Sequence, residues 1–343
     1  MINYKSGNII VDDSEAIVNT VNCVGVMGKG LALQFKKAYL DNFKQYKLAC
    51  DRKEVKIGEM FITDSGDMFN RKLIINFPTK DHWKGKSKYE YIESGLDDLA
   101  LKINSYGITS IAIPPLGAGL GGLRWDKVKT LIIEKLGIID GLSINIYEPI
   151  GSPDSKDIVI NTHKPNMTKG RALLLKLLSI YSSKGYECTK LETQKLAYFL
   201  QEAGVDLKLR YEAHNFGPYA DNLNHVLSHI DGHFISGFGD RVSKSKISII
   251  NDSLEAAEVF LAKHPESDEA ISKVEKLIQG YETPLSMEVL STVHWVVKHE
   301  GYNPNDFDAI KLFIYQWNDH KASIKEKYLK KALVRLENNS WVS

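Results

Sequence analysis

The chain has 343 residues, of which 43% are hydrophobic and 25% are charged, with 44 Lys and Arg against 43 Asp and Glu. This composition is typical of a globular protein and excludes a disordered, collagen-like or coiled-coil chain. The formal net charge of +1 argues against binding of duplex nucleic acid by bulk electrostatics. Since domains usually hold about 100 to 200 residues, the length predicts two of them.

Membrane and cysteine signals are both weak. No apolar run reaches the ~18 residues that a membrane span needs, and residues 1–5 do not resemble a signal segment. We therefore expect a cytoplasmic protein without membrane contact. Cys23, Cys50 and Cys188 form no CxxC pair, so we expect neither a disulfide framework nor a structural metal site.

The first half alternates strand and helix patterns. Short β-branched runs predict strands at residues 16–21, 73–77, 110–113 and 143–147. Amphipathic stretches predict helices at residues 91–101 and 125–136. Strands that alternate with helices predict an α/β domain, at residues 1–150, whose sheet is covered on both faces.

The pattern changes after residue 149. A polar stretch with Gly151, Pro153 and Pro165 predicts a linker at residues 151–169, although the apolar residues 158–160 are also compatible with an edge strand. Beyond it, apolar residues recur at spacings of three and four, which predicts a mainly α-helical domain at residues 170–343. The predicted helices are 172–180, 191–201, 254–260, 271–278, 287–297, 309–317 and 324–336.

A first glycine loop, residues 25–30 (Gly-Val-Met-Gly-Lys-Gly), lies between a predicted strand and a predicted helix. Free backbone N–H groups and the positive end of a helix make such a loop suitable for phosphate. It is not a Walker A loop, because Gly25 precedes Gly28 and Lys29 by too few residues and no hydroxyl residue follows Lys29. Glycines that only turn a tight loop remain the alternative.

A second glycine loop, residues 115–122, again follows a strand. Gly117, Gly119 and Gly122 satisfy GxGxxG, but a Rossmann fingerprint opens the first βαβ unit, whereas here a single clear strand follows before the linker. Two such loops in one small domain would instead close over one elongated ligand. We expect a diphosphate between them and ribose hydroxyls near Asn22.

With Gly7-Asn8-Ile9 and Asn19-Thr-Val-Asn22, the two loops resemble macrodomains, the ADP-ribose-binding modules, over about residues 1–150. The resemblance implies a three-layer α/β/α sandwich over a mixed sheet. It also implies that Asn8 and Ile9 meet the adenine end, Asn22 the distal ribose, and the two loops the ribose and diphosphate. The ADP-ribose-binding residues implied in this way are Asn8, Ile9, Asn22, Gly25, Val26, Met27, Gly28, Lys29, Gly30, Pro115, Leu116, Gly117, Ala118, Gly119, Leu120 and Gly121.

A third segment, around Thr79-Lys80, follows a strand directly. It resembles the lysine-dependent glycohydrolase branch of macrodomains and, within it, the DarG-type antitoxins, which remove ADP-ribose from thymidine bases of single-stranded DNA modified by their partner toxin, DarT. The resemblance implies that Lys80 is catalytic and attacks or polarises the anomeric carbon. The eukaryotic protein that typifies this branch, the terminal ADP-ribose glycohydrolase, carries an acidic residue where this chain has Gly121, which puts a mechanism with a second-loop carboxylate in doubt.

The chemistry of Lys80 is left open by the sequence. A lysine is nucleophilic only when neutral, so it would need a pKa lowered by burial or by neighbouring cations. As a cation it could instead stabilise the departing base. A solvated surface lysine is the further alternative. His82, Trp83 and Lys84 are possible DNA contacts, since charges track phosphates and rings stack on bases, although a solvated lysine-rich loop has the same composition.

The histidines of the second half do not predict a metal site. His225, His229 and His233 recur every four residues, but Asp231 and Gly232 interrupt the stripe and no Cys partner or HExxH frame accompanies it. We expect an exposed helix end there, and neither a metal nor a cofactor in the protein.

Residues 165–343 carry 22 Lys and Arg against 23 Asp and Glu, which argues against a basic DNA-binding domain. The stretch from Thr189 to Gln201, followed by Phe216-Gly217-Pro218-Tyr219, resembles the helical Panacea-type antitoxin domain. This implies that residues 170–343 bind the cognate DarT toxin, with acidic residues covering its DNA groove. The acidic candidates are Asp221, Asp231 and Asp240. Plain core packing of an amphipathic helix is the alternative.

The sequence thus predicts a two-domain antitoxin that combines DNA ADP-ribosyl glycohydrolase activity with direct toxin neutralisation. Three other functions stay open for the first domain: a noncatalytic ADP-ribose reader, an ADP-ribose-1″-phosphate phosphatase and a protein-directed ADP-ribosyl hydrolase. Thymine and guanine are likewise not distinguished as the modified base.

Overall fold

The computed structural model describes residues 1–66, 71–149, 158–239, 246–250 and 252–342. They form two units, Met1–His163 and, separately, Lys164–Phe238 with the described residues from 246 onward. Residues 151–157 of the predicted linker lie outside the described residues. The possible edge strand at 158–160 does not form, and the first helix of the second unit begins at Lys169.

The first unit contains strands β1 (Ile2–Lys5), β2 (Ala16–Asn22), β3 (Phe61–Asp64), β4 (Leu73–Lys80), β5 (Ser110–Ile113) and β6 (Ser143–Tyr147). Its helices are α1 (Gly30–Ala38), α2 (Leu40–Asp51), α3 (Tyr89–Tyr106) and α4 (Trp125–Leu136). The strands form one sheet in the order β1-β6-β5-β2-β4-β3. All neighbouring strands are parallel except β3, which pairs antiparallel with β4 at the edge.

The side chains of β2 alternate between the two faces of this sheet. Ala16 and Val18 pack with the apolar sides of α3 and α4, whereas Ile17 packs on the other face with α1. Since successive side chains of a strand point to opposite faces, helices cover both sides of the sheet. The α/β/α sandwich with a mixed sheet that the sequence predicts is therefore confirmed.

The parallel strands bring their carboxyl ends to one edge of the sheet. Asn22, the last residue of β2, pairs with Lys80, the last residue of β4, after an irregularity in register between Val21 and Asn22. The first glycine loop follows β2, the second follows β5, and Asn8 and Ile9 follow β1. All the segments with predicted site residues in the first unit consequently start from the same edge.

The second unit is mainly helical, as predicted. Its helices are α5 (Lys169–Ser183), α6 (Lys190–Glu202), α7 (Asp221–Ile230), α8 (Ser253–Leu261), α9 (Asp268–Ile278), α10 (Pro284–Lys298), α11 (Phe307–Trp317), α12 (Asp319–Ala322) and α13 (Glu326–Asn338). Two short antiparallel strand pairs accompany them, β7 (Tyr211–His214) with β8 (Gly217–Ala220) and β9 (Ile235–Ser236) with β10 (Ser248–Ile249). Among the helices described in either unit, none is both long and apolar enough to cross a membrane.

Candidate functional site

Lys80 lies at the edge of the sheet where β2 and β4 both end. Its Nζ donates a hydrogen bond of 2.8 Å to the carbonyl oxygen of Leu120 in the second glycine loop. Its backbone pairs with Asn22, from which the first glycine loop continues. The side chain is half-buried, and this desolvation lowers the pKa of Lys80 from its ordinary value of 10.5. Lys80 thus joins the end of β2, from which the first glycine loop continues, to the second glycine loop.

Asn22 uses its side chain to shape the first glycine loop. Its Nδ2 donates to the carbonyl oxygen of Val26 at 2.6 Å, and its Oδ1 accepts from the N–H groups of Val24 and Val26 at 3.0 and 3.3 Å. Tyr46 donates its hydroxyl to the backbone oxygen of Asn22. Besides the predicted contact with ribose, Asn22 therefore has a second role, which is to position the backbone of the first glycine loop. The sequence analysis did not foresee this role.

The first glycine loop is anchored by one buried side chain. Met27 is 2% exposed and packs with Tyr46 and Cys50, whereas Val26, Gly28 and Lys29 face solvent. Gly25 has φ +75, and a Cβ there would lie 3.4 Å from the Cβ of Cys50. No side chain caps the start of α1, where the N–H of Gly30 donates to the carbonyl oxygen of Gly239 at 3.3 Å.

The second glycine loop is packed against Ser87. A Cβ at Gly121 would lie 2.2 Å from Ser87 Oγ and 2.3 Å from the carbonyl oxygen of Gly117. Gly117 has φ +64, and a Cβ there would lie 3.0 Å from the Cβ of Ser87. Leu116 is fully buried in the core below, while Leu120 is 59% exposed. These contacts explain why this chain has no acidic residue at position 121, because no side chain fits there.

Residues 81–88, which we call the bridging loop, bond to Cys23, which precedes the first glycine loop, and to Gly121 in the second glycine loop. The N–H of Cys23 donates to the carbonyl oxygen of Asp81 at 3.0 Å, and the N–H of Ser87 donates to that of Gly121 at 3.1 Å. His82, Trp83 and Lys84 are exposed on it. The possible DNA contacts therefore lie next to Lys80 in space as well as in sequence.

Asn8 and Ile9 lie at the same edge but further along the sheet. The Oδ1 of Asn8 accepts from the N–H of Ile10 at 3.1 Å and caps the short 3-10 turn Ile9–Val11. Ile9 is only 3% exposed, so a ligand could meet it mainly through its backbone. In strand order the edge carries Asn8 beyond β1, then the second glycine loop, the first glycine loop and Lys80. This sequence of groups suits an elongated ligand.

The sequence analysis missed one buried carboxylate, that of Asp12, which bonds side chains near this edge. Asp12 is 4% exposed and accepts hydrogen bonds from Lys5 Nζ, Asn145 Nδ2 and the Tyr147 hydroxyl at 2.8, 3.0 and 2.8 Å. Burial alone would raise its pKa, but the hydrogen bonds from Lys5, Ser14 and Tyr147 outweigh that effect and hold the pKa well below its ordinary value. The sequence signal that could have revealed Asp12 is its position as an acidic residue shortly before a buried strand.

In the second unit, the two segments that resemble the Panacea-type domain pack on each other. The side chain of Gln194 bonds both the N–H and the carbonyl oxygen of Ala220, at 3.1 and 3.0 Å. Lys195 is fully buried and donates to the carbonyl oxygen of Pro218 at 2.6 Å. Burial lowers its pKa well below the ordinary value, and the nearby ammonium of Lys321 lowers it further.

The structure corrects one of the acidic candidates. Asp231 is 5% exposed and its Oδ1 accepts from the N–H of Phe238, so the prediction that it presents charge to a partner was wrong. Asp221 is exposed at the start of α7, and Asp240 lies outside the described residues.

The histidine stripe ends with α7. His225 and His229 are exposed on this helix, and His233 follows its end. Within the part of the chain that the structure describes, no group of three or more His, Cys, Asp and Glu side chains is placed to hold a metal ion.

Comparison with known proteins adds the following similarities. The family model of the Macro domain matches residues 18–132. A DNA ADP-ribosyl glycohydrolase of Thermus aquaticus is 47% identical over 333 residues, which are 97% of this chain and 92% of that protein. A DNA ADP-ribosyl transferase-DNA ADP-ribosyl glycohydrolase fusion protein of Thermosipho africanus is 34% identical over 164 residues, 43% of this chain and 42% of that protein. The solved macrodomain of Mycobacterium tuberculosis DarG is 50% identical, with a TM-score of 0.43, over 43% of this chain and 98% of that one.

Proposed function

Because the chain belongs to the DNA ADP-ribosyl glycohydrolase family of macrodomain proteins, we propose that its first unit removes ADP-ribose from thymidine bases of single-stranded DNA. The observation that carries the proposal is the position of Lys80, whose backbone pairs with Asn22 before the first glycine loop and whose Nζ donates to Leu120 in the second. ADP-ribose would extend along the carboxyl edge of the sheet. Its adenine end would meet Asn8 and Ile9, its diphosphate the glycine loops and its distal ribose Lys80.

The reaction breaks the bond between the anomeric carbon of the distal ribose and a nitrogen of the base. Water supplies a hydroxyl group to the anomeric carbon and a proton to the departing base. We assign to Lys80 the role of a cation that stabilises the negative charge developing on that base. Residues 115–122 contain no carboxylate that could resolve a covalent lysine intermediate, which favours the cation over the nucleophile.

The test is hydrolysis of ADP-ribosylated single-stranded DNA by the wild type and by Lys80→Ala. We expect the substitution to lower the turnover number by about a hundredfold or more, since a single charge-stabilising group commonly contributes that much. Binding of free ADP-ribose by both proteins serves as the control for the fold of the site. Undiminished turnover by the variant would remove Lys80 as the catalytic residue.

The same assay separates the other functions. Binding of ADP-ribose without turnover by either protein would indicate a reader. Release of inorganic phosphate from ADP-ribose-1″-phosphate would indicate a phosphatase. Turnover on ADP-ribosylated protein but not on DNA would indicate a protein-directed hydrolase, and parallel assays with thymine-linked and guanine-linked ADP-ribose would identify the base.

For the second unit we propose direct binding and neutralisation of a DarT-type ADP-ribosyltransferase by residues 170–343. The packing of Gln194 and Lys195 against residues 218–220 supports the proposal, because it joins the two segments that resemble the Panacea-type domain. The name of the Thermosipho africanus relative, which combines a transferase with a glycohydrolase in one chain, also supports it. Full-length Lys80→Ala should then inhibit the transferase stoichiometrically without turnover, and a failure to bind or inhibit it would contradict this role.

A further inference from the structure

We propose that the bridging loop, residues 81–88, is a subsite for the DNA strand beside the modified nucleotide, with Trp83 as a stacking platform for a neighbouring base. The inference rests on the proposed hydrolysis of ADP-ribosylated DNA and names the feature that distinguishes a DNA substrate from other carriers of ADP-ribose.

The bridging loop is held in place at both ends. Cys23 binds the carbonyl oxygen of Asp81, and Ser87, which is 6% exposed, binds that of Gly121. Within the loop, the N–H of Gly85 donates to the carbonyl oxygen of His82 at 2.9 Å. A segment that follows Lys80 directly, and that is bonded to Cys23 and to the second glycine loop, has a fixed position relative to Lys80. Whatever it presents to solvent is therefore available to a substrate seated in the site.

The bridging loop presents the indole ring of Trp83 to solvent. This side chain is 49% exposed, although tryptophan is usually among the more buried residues. The ring of His82 lies 5.6 Å from it with a 30° tilt, and Lys84 Nζ lies 5.0 Å from the ring centre. The N–H of Lys84 also donates to His82 Nδ1 at 3.3 Å. These neighbours orient the indole without burying it, as a stacking platform requires.

The charge around Trp83 matches a nucleic-acid strand. Lys84, Lys86 and Lys88 are exposed on the bridging loop, against the single carboxylate of Asp81. Trp83 is three positions after Lys80 in the chain, which limits their Cα atoms to about 11 Å apart. A nucleotide beside the modified one can therefore reach the ring. Bases are accessible for stacking in single strands but not in a duplex. The near-zero charge of the whole chain also argues against binding of a duplex, so both observations favour a single strand.

The test compares two substrates of the full-length protein: an ADP-ribosylated single-stranded oligonucleotide and the corresponding ADP-ribosylated nucleoside. We expect Trp83→Ala to lower the preference for the oligonucleotide, measured as the ratio of the two kcat/KM values, by about five- to a hundredfold. Trp83→Phe should restore most of this preference. Tyr106→Ala is the matched control, since Tyr106 is 54% exposed at the end of α3, away from the carboxyl edge.

The lysines are tested by salt. Replacement of Lys84 and Lys86 by alanine should reduce the dependence of oligonucleotide affinity on salt, with a loss of about 0.7 in the logarithmic slope for each phosphate contact removed. Lys80→Ala, which we expect to turn the ligand over more slowly by about a hundredfold or more, provides the background for these binding measurements. This salt dependence tests the subsite even if the protein binds ADP-ribose without hydrolysing it.

Several results would overturn the subsite. Equal losses of kcat/KM on the nucleoside and the oligonucleotide would assign Trp83 to the reaction centre or to the fold. No loss on either substrate would leave the indole without a role in DNA binding. A selective loss on ADP-ribosylated protein would identify a protein as its partner. An inactive wild type that still prefers the oligonucleotide in binding would contradict the proposed hydrolysis but support the subsite.

Discussion

At the scale of single residues, Lys80 combines a half-buried position with one carbonyl acceptor, that of Leu120. Its pKa is lowered from 10.5 because burial disfavours the ammonium form. The cation is present below the pKa of the folded protein and is lost as the pH rises through it. We therefore expect kcat/KM on ADP-ribosylated oligonucleotides to fall at alkaline pH, with a midpoint below 10.5.

The pH profile also decides between the two roles of Lys80. An arginine at this position stays charged, so Lys80→Arg should keep part of the activity and lose the alkaline decline. A nucleophilic lysine would behave in the opposite way, because the neutral amine forms as the pH rises. Activity that increases with pH in the wild type and vanishes in Lys80→Arg would contradict the cationic role.

At the scale of elements, the contact between the second glycine loop and the bridging loop leaves no room at Gly121. A Cβ would meet Ser87 Oγ at 2.2 Å and the carbonyl oxygen of Gly117 at 2.3 Å, and the second of these atoms belongs to the backbone. Gly121→Ala should therefore displace one of the loops and lower the free energy of unfolding by about 1–3 kcal/mol. Thermal unfolding followed by calorimetry measures this loss.

Gly28→Ala provides the comparison. A Cβ at Gly28 would meet only Val26 Cγ1, at the ordinary contact distance of 3.7 Å. We expect a stability within about 0.5 kcal/mol of the wild type for this variant. Equal stabilities of the two variants would show that the packing on Ser87 does not constrain position 121.

At the scale of the whole molecule, the two proposed activities depend on different charged side chains. In the second unit, Lys321 is fully buried and binds Glu288 Oε1 at 2.6 Å and Thr292 Oγ1 at 2.8 Å. Glu288→Gln removes the carboxylate from a buried pair, which typically costs about 3–5 kcal/mol. This variant should lose toxin inhibition and keep hydrolysis of ADP-ribosylated DNA, whereas Lys80→Ala should do the reverse.

The matched control for Glu288 is Glu269→Gln, because Glu269 pairs with Lys273 on the exposed side of α9 and such pairs contribute little. It should retain both activities and the wild-type unfolding temperature. Simultaneous loss of both activities in Glu288→Gln or in Lys80→Ala would argue that the functions are not separable.

The sequence by itself determined those features whose signal is local. The predicted strands at 110–113 and 143–147 and the helix at 125–136 have the bounds of β5, β6 and α4, because apolar periodicity reports them directly. The family resemblance is confirmed as well, since it depends on glycine loops and on a strand-end lysine that are continuous in the chain. Helix α2 and the edge strand β3 were not predicted from such patterns.

Only the tertiary structure decided which polar groups meet. The bond from Lys80 to Leu120 joins residues 40 positions apart, and the packing of Ser87 against Gly121 joins loops that follow different strands. Burial of Asp231 and the sharing of Glu288 by Lys321 and His320 likewise depend on helices brought together from distant segments. Residue type sets local backbone preference, but the register of a sheet and the packing of its layers decide which side chains are desolvated and paired.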